Sequence, residues 1–184
     1  MPITDAQELF LHELAEIHDA EHRFIEGQQE MVENATDRDL KDAIREHLEQ
    51  TRLHAENVER VFAELAQEPR REDNEVAKGL VSEAREGIQE AQGDALCDAV
   101  IVSAVIVSAV IKVEHFEMGS YRSLVTAANL MGQAEIERLL RENMRQEEET
   151  AKTAEKSAEK LLRKAMGKEE EGLMDKAKDK LTGQ

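Results

Sequence analysis

Aromatic residues and chain breakers are both scarce: no tryptophan, one tyrosine, four phenylalanines, two prolines and nine glycines in 184 residues. A chain so short of turn-forming residues and so rich in Ala, Glu, Leu, Lys and Arg favours long helices over a sheet. A single cysteine, Cys97, excludes an internal disulfide and points to a reducing compartment. No long hydrophobic run is present. The most apolar stretch, Ala99 to Ile111, is closed by Asp98 and Lys112 and falls short of the roughly 20 residues a spanning helix needs. Met1 to Asp5 carries neither the basic nor the apolar stretch of a secretory signal, so a cytoplasmic location is expected and no membrane partner. Positive charge is also lacking. Acids outnumber bases 41 to 24, and the net charge of -17 excludes a general electrostatic grip on nucleic acid. It leaves cations as natural partners, and it also suits a salt-rich cytoplasm.

The length suits one domain with a substantial core. Thr4 or Asp5 caps a first helix running to about Ala35, with the apolar stripe Phe10, Leu14, Ile17 and Phe24. Thr36 or Asp37 caps a second, from Arg38 to Ala66. Its stripe is Leu40, Ile44, His47, Thr51, His54, Val58, Val61 and Leu65, alternating steps of four and three as in a helix packed lengthwise. Pro69 and the charged run after it end that helix. Val76 to Ala91 reads as a shorter, polar helix that gives length for a crossover. Long helices follow from Ala95 to Leu130 and from Ala134 to Ala165, separated by a turn at Met131-Gly132-Gln133. The run Val100 to Val110 also suits a strand by composition, so that stretch is the sharpest test of the helical reading. Two parts are expected: a helical bundle over residues 1–165, and a polar, frayed or weakly helical tail from Met166 to Gln184.

The chemistry lies in what interrupts the stripes. Glu21 falls between Ile17 and Phe24. Thr51 and His54 lie on the second stripe, Glu114, Glu117 and Tyr121 on that of the third long helix, and Asn143, Glu147 and Thr150 on that of the fourth. In so acidic a chain, one glutamate on a seam is ordinarily half-solvated or ion-paired. Four at similar depth would repel one another strongly, and a buried unpaired carboxylate costs several kcal/mol or takes up a proton. Two divalent cations would cancel the four charges. Iron or manganese, dinuclear or single, is the expected cofactor, held by Glu21, His54, Glu114, Glu117 and Glu147, because mixed carboxylate and imidazole ligands suit those metals. His47 reads as structural or as a support to the ligands, Tyr121 as a packed donor to a carboxylate, and His12 and His18 as surface residues.

Asp19-Ala20-Glu21-His22 echoes Lys112-Val113-Glu114-His115, and Thr51-x-x-His54 aligns with Glu147-x-x-Thr150, as two related hairpins would. With Glu8-Leu9-Phe10, His47-Leu48-Glu49-Gln50-Thr51, Glu114-His115-Phe116-Glu117 and Ser120-Tyr121, the chain resembles the YciE/YciF-like stress-response family of ferritin-like proteins over about residues 5–163. The resemblance implies an all-α, antiparallel four-helix bundle of rubrerythrin-like architecture, with the long crossover between the second and third long helices. It also implies a homodimer and a role under stress without a defined reaction. The chain departs from a full ferritin-like site, since Thr51 and Thr150 stand where each Glu-x-x-His motif would have a ligand. Three functions compete: a metal-binding stress protein reacting with peroxide or oxygen, a di-manganese catalase, and a non-catalytic dimeric bundle acting through protein contacts. The catalase needs a complete dinuclear site.

Overall fold

The computed structural model describes residues 3–35, 38–92 and 99–166. Among these the protein is all-helical, with no strand: α1 (Ala6–Asn34), α2 (Arg38–Glu64), α3 (Glu75–Gln92), α4 (Ala99–Leu130) and α5 (Ala134–Ala165). The Val/Ile run is therefore helical. Its β-branched residues are held as a helix because burial recurs at a step of four, Val102 with Ile106 and Ser103 with Val107, as one helical face requires. The expected cap at Thr36 or Asp37 and nearly all of the expected polar tail lie outside the described residues.

Local chemistry accounts for the ends. Asp5 caps α1, its carboxylate accepting from the Gln7 and Glu8 amides at 2.9 and 2.8 Å. α2 and α4 close alike. Ala66 and Gly132 adopt left-handed φ values of 53° and 70°. The next amide then reaches back, Gln67 to the Phe62 carbonyl at 2.9 Å and Gln133 to the Ala128 carbonyl at 3.0 Å.

α1 packs on α2 and α4 on α5, while α2 meets α5 and α1 meets α4. α3 covers α1 and α4. It is less polar than its sequence suggests: Ala77, Val81, Ala84 and Ile88 form a buried stripe. Gly87 lets it come close, since a Cβ there would stand 2.9 Å from a Val105 methyl.

The segment between α2 and α3 is sewn onto α1. The Glu72 amide donates to the Ala15 carbonyl at 3.1 Å, and the Asn74 side chain donates to the Glu16 carbonyl at 3.2 Å while capping α3 through the Ala77 amide. Asp19, buried at 4% exposure, accepts from Arg71 and from the Asn74 amide and pairs with Arg23. Burial alone would raise its pKa, but Arg23, the Asn74 amide and Arg71 together hold the carboxyl below the usual range.

Two apolar clusters result. One joins Phe10, Leu14, Phe24, Val61, Phe62, Leu124 and Leu140; the other joins Met31, Ile44, Ile88, Val102 and Ile106. Along α2 and α4, the polar residues of the stripes fall between the two.

Candidate metal centre

All five residues expected from the sequence are buried: Glu21, His54, Glu114 and Glu147 are wholly so, and Glu117 is 1% exposed. α1 brings Glu21, α2 brings His54, α4 brings Glu114 and Glu117 one turn apart, and α5 brings Glu147. Ligand atoms of Glu21, His54 and Glu147 lie within 4.8 Å of one another, and so do those of His47, Glu114 and Glu147. Glu147 is common to both groups, so its carboxylate stands between them. Glu117 completes neither group but lies close enough for the charges of Glu147, Glu21 and Glu114 to act on it.

His47 is the ligand-capable residue that sequence reasoning set aside. Its Nε2 stands 2.9 Å from Glu114 Oε1. The signal was present in the unbroken α2 stripe, where His47 precedes His54 by two turns. The two threonines behave as their chemistry suggests. Thr51 donates to the His47 carbonyl and accepts from Gln28, and Thr150 donates to the Gln146 carbonyl. Both hydroxyls are spent on their own helices.

The ring of His54 is oriented from outside. Its Nε2 contacts Gln146 Oε1 at 2.9 Å, and an amide oxygen can only accept, so Nε2 carries a proton. The Gln146 amide in turn donates to Glu142 at 2.7 Å, and Glu142 is paired with Arg145. Nδ1 is left facing the carboxylates, 2.6 Å from Glu147 Oε1 and 4.0 Å from Glu21 Oε1. Tyr121, wholly buried, donates to Glu21 Oε1 as expected and accepts from Asn143 at 3.0 Å. Asn143 also donates to the His54 carbonyl at 3.2 Å.

The polar atoms are short of partners. Among the described residues, the buried side-chain atoms without a hydrogen bond are Gln28 Oε1, Arg70 Nε and otherwise only atoms of this cluster. The cluster's share is Glu21 Oε2, both nitrogens of His47, His54 Nδ1, and both oxygens of Glu114, Glu117 and Glu147. Several stand within ion-pair distance yet lack hydrogen-bond geometry, as lone pairs aimed at a common point would. Orphans of this kind cost about 1–3 kcal/mol each, and more when charged. A polyvalent cation is a partner that satisfies several of them at once, so the donor set fits one.

Without a cation, protons take its place. Burial above all, and then the charge of Glu147, push Glu114 and Glu117 well above the carboxylate range. Burial also raises Glu21, to about 7, against the opposing pull of His54. Burial would lower His54, but Glu147 and Glu21 outweigh it and lift the ring to about 9. Glu147, penalised by burial, is held below its ordinary value by His54. The metal-free centre thus favours one ion pair, His54 with Glu147, beside acids whose burial favours the protonated form. His47 is pushed down by burial and stays neutral. A groove of about 250 Å³ between α2, α4 and α5, lined by Leu40, Ile44, His47, Val107, Gln146 and Thr150, reaches the cluster at His47.

His18 departs from expectation. It is 4% exposed rather than on the surface, because the segment after α2 folds over it and the Arg70 carbonyl takes its Nδ1 at 2.9 Å. His12 is half-buried, 3.7 Å from Glu16.

The sequence model of a family described as a domain of unknown function, DUF892, matches residues 5–167. Protein YciF of Escherichia coli K12 is 27% identical over 151 residues, covering 82% of this chain and 88% of its own. The crystal structure of the E. coli stress protein YciF superposes with a TM-score of 0.80 at 25% identity, covering 88% of this chain and 99% of its own. The structure of YcfI from Rhodopseudomonas palustris gives 0.77 at 32% identity, covering 83% and 94%.

Proposed function

The chain belongs to the DUF892 family, and we propose that within it this protein is a metal-binding, ferritin-like stress protein. The fold proposed is a four-helix bundle of α1, α2, α4 and α5 over residues 1–165, with α3 in the crossover and residues 166–184 as an appendage. Its support is the pairing of α1 with α2 and of α4 with α5 across connections too short for anything but antiparallel neighbours.

One observation carries the functional reading: the unpaired ligand atoms of Glu21, His47, His54, Glu114, Glu117 and Glu147 meet in one buried volume. Iron or manganese bound there would supply electron transfer to peroxide or oxygen. This chain's residues do the rest. Glu147 would serve either ligand group, and His54, fixed by Gln146, presents Nδ1. Tyr121 pins one oxygen of Glu21 and leaves the other for a ligand's role. The groove beside His47 admits small solutes, while the apolar clusters above and below exclude bulk water.

The homodimer implied by the family resemblance and a cytoplasmic location belong to the same proposal. Among the described residues no helix is long and apolar enough to cross a membrane. Light scattering at moderate salt that finds only monomers removes the dimer; low salt exaggerates repulsion between chains of charge -17.

The test of the centre is elemental analysis of protein purified without added metal, with thermal melts before and after chelation. One or two equivalents of iron or manganese, and a lower Tm on chelation, are expected. Metal-free protein that melts identically with and without Fe(II), Mn(II) or chelator leaves the non-catalytic bundle, its acids sharing protons.

A further inference from the structure

Outside the carboxylate centre, three more ligand-capable side chains converge: His18 and His22 on α1 and Glu59 on α2, their ligand atoms within 4.8 Å of one another. The two rings are one turn apart, and their Nε2 atoms stand 3.2 Å from each other. Glu59 Oε1 lies 3.6 Å from His18 Nε2. We infer that His18, His22 and Glu59 form a second metal site, for a zinc-like divalent cation, separate from the carboxylate centre.

Three features carry this. First, the spacing fits. Two imidazole nitrogens bound at roughly 2.0–2.1 Å around a tetrahedral ion stand about 3.3 Å apart. Second, His18 is oriented as a ligand. Its Nδ1 donates to the Arg70 carbonyl at 2.9 Å, so in the neutral ring the Nε2 lone pair faces His22 and Glu59. The ring is nearly fully buried and rests against Phe62, with centroids 5.9 Å apart, which fixes its direction. Third, the site is open where an ion must enter. His22 is half-buried and the Glu59 side chain is 49% exposed, leaving a fourth position for water. The nearby cations do not spoil it, because Arg23 and Arg71 are both paired with Asp19.

The site is independent of the centre next to it in sequence. Consecutive helical residues point about 100° apart, so Glu21 faces the core while His22 turns away. The two sites also differ in donors. Four carboxylates suit iron or manganese, whereas two imidazoles and one carboxylate, with water, suit zinc. A bound ion would tie α1, α2 and the segment carrying Arg70 into one clip. With no ion, His22 Nε2–H simply donates to His18 Nε2.

Zinc titration of the full chain against a chromophoric chelator tests this, alongside His22→Gln, Glu59→Gln and Glu114→Gln. Wild type is expected to bind one more zinc than His22→Gln. Glu59→Gln, an exposed change that leaves the fold intact, should weaken that ion by about tenfold or more, since even removing a ligand's support costs 10–100-fold. Glu114→Gln should keep it, which separates this site from the centre. Anomalous diffraction from a zinc-soaked crystal should place an ion roughly 2.0–2.2 Å from both Nε2 atoms. If His22→Gln and Glu59→Gln bind zinc with wild-type stoichiometry and affinity, or if zinc occupies only the carboxylate centre, the inference falls.

Discussion

Gln146 Oε1 lies 2.9 Å from His54 Nε2 and so decides which ring nitrogen faces the buried glutamates. Nε2 must hold its proton to use this acceptor, and Nδ1 is the nitrogen left for a metal. Gln146→Leu removes the acceptor without touching a ligand. Metal affinity should fall by about 10–100-fold, with helix content unchanged. Gln146→Glu keeps an acceptor there and should retain most of the binding. Equal affinities for wild type and the leucine variant, measured by chelator competition, would show that the contact orients nothing.

Glu114→Gln sets two effects against each other. A ligand is lost, so metal content should drop. A buried acid that must take up a proton beside Glu147 is also lost, so the metal-free protein should be as stable as before, or more so. Elemental analysis and chelated melts read the two effects separately. Unchanged metal content in the variant would remove Glu114 from the centre.

The metal-free protein should lose stability as pH rises through neutrality. Glu21 is raised to about 7 when folded, and Glu114 and Glu117 also rise, so folding takes up protons. Their contribution is full below the ordinary carboxylate value of 4.5 and fades as pH climbs through the folded values. His54, raised to about 9, adds a loss at the alkaline end. Glu147 runs the other way, its contribution fading only as pH falls below 4.5. Chelated protein should therefore melt higher at pH 5.5 than at pH 8.5, each kcal/mol being about 2–4 °C for a chain of this size. Saturating Mn(II) should flatten or reverse the trend, since metal displaces protons from the same groups. A chelated Tm that climbs steadily to pH 8.5 would contradict the protonated-acid description.

Ala66 offers a test of the backbone. It takes a left-handed φ of 53° where α4 uses Gly132 in the same closing motif. Left-handed backbone costs a residue with a Cβ about 1–2 kcal/mol, partly offset by the greater chain entropy that glycine loses. Ala66→Gly should raise stability by about 0.5–1 kcal/mol, and Gly132→Ala should lower it by a similar amount. Urea midpoints with unchanged slopes would measure both.

Local periodicity made much of this protein legible. The four long helices among the described residues, and the burial of Glu21, His54, Glu114, Glu117 and Glu147, follow from steps of three and four along the chain. Helix geometry depends on near neighbours, so a polar residue in register with buried apolar ones must share their fate. The turn at Gly132 was equally plain, whereas the matching one at Ala66 carried no glycine to announce it.

The sequence alone, then, determined an all-helical protein with a line of acids and two histidines of the α2 stripe turned inward, because that information is held within each helix. Only the tertiary structure decided which of them meet. His47 faces Glu114 across 67 residues, and Glu147 joins both ligand groups, because α2, α4 and α5 pack with those depths matched. His18 reads as an ordinary surface residue until the segment from Arg70 to Asn74 folds back over α1 to cover it and its neighbour Asp19. That contact spans more than 50 residues and leaves no periodic trace, for it depends on the path of a non-helical connection rather than on the pitch of a helix.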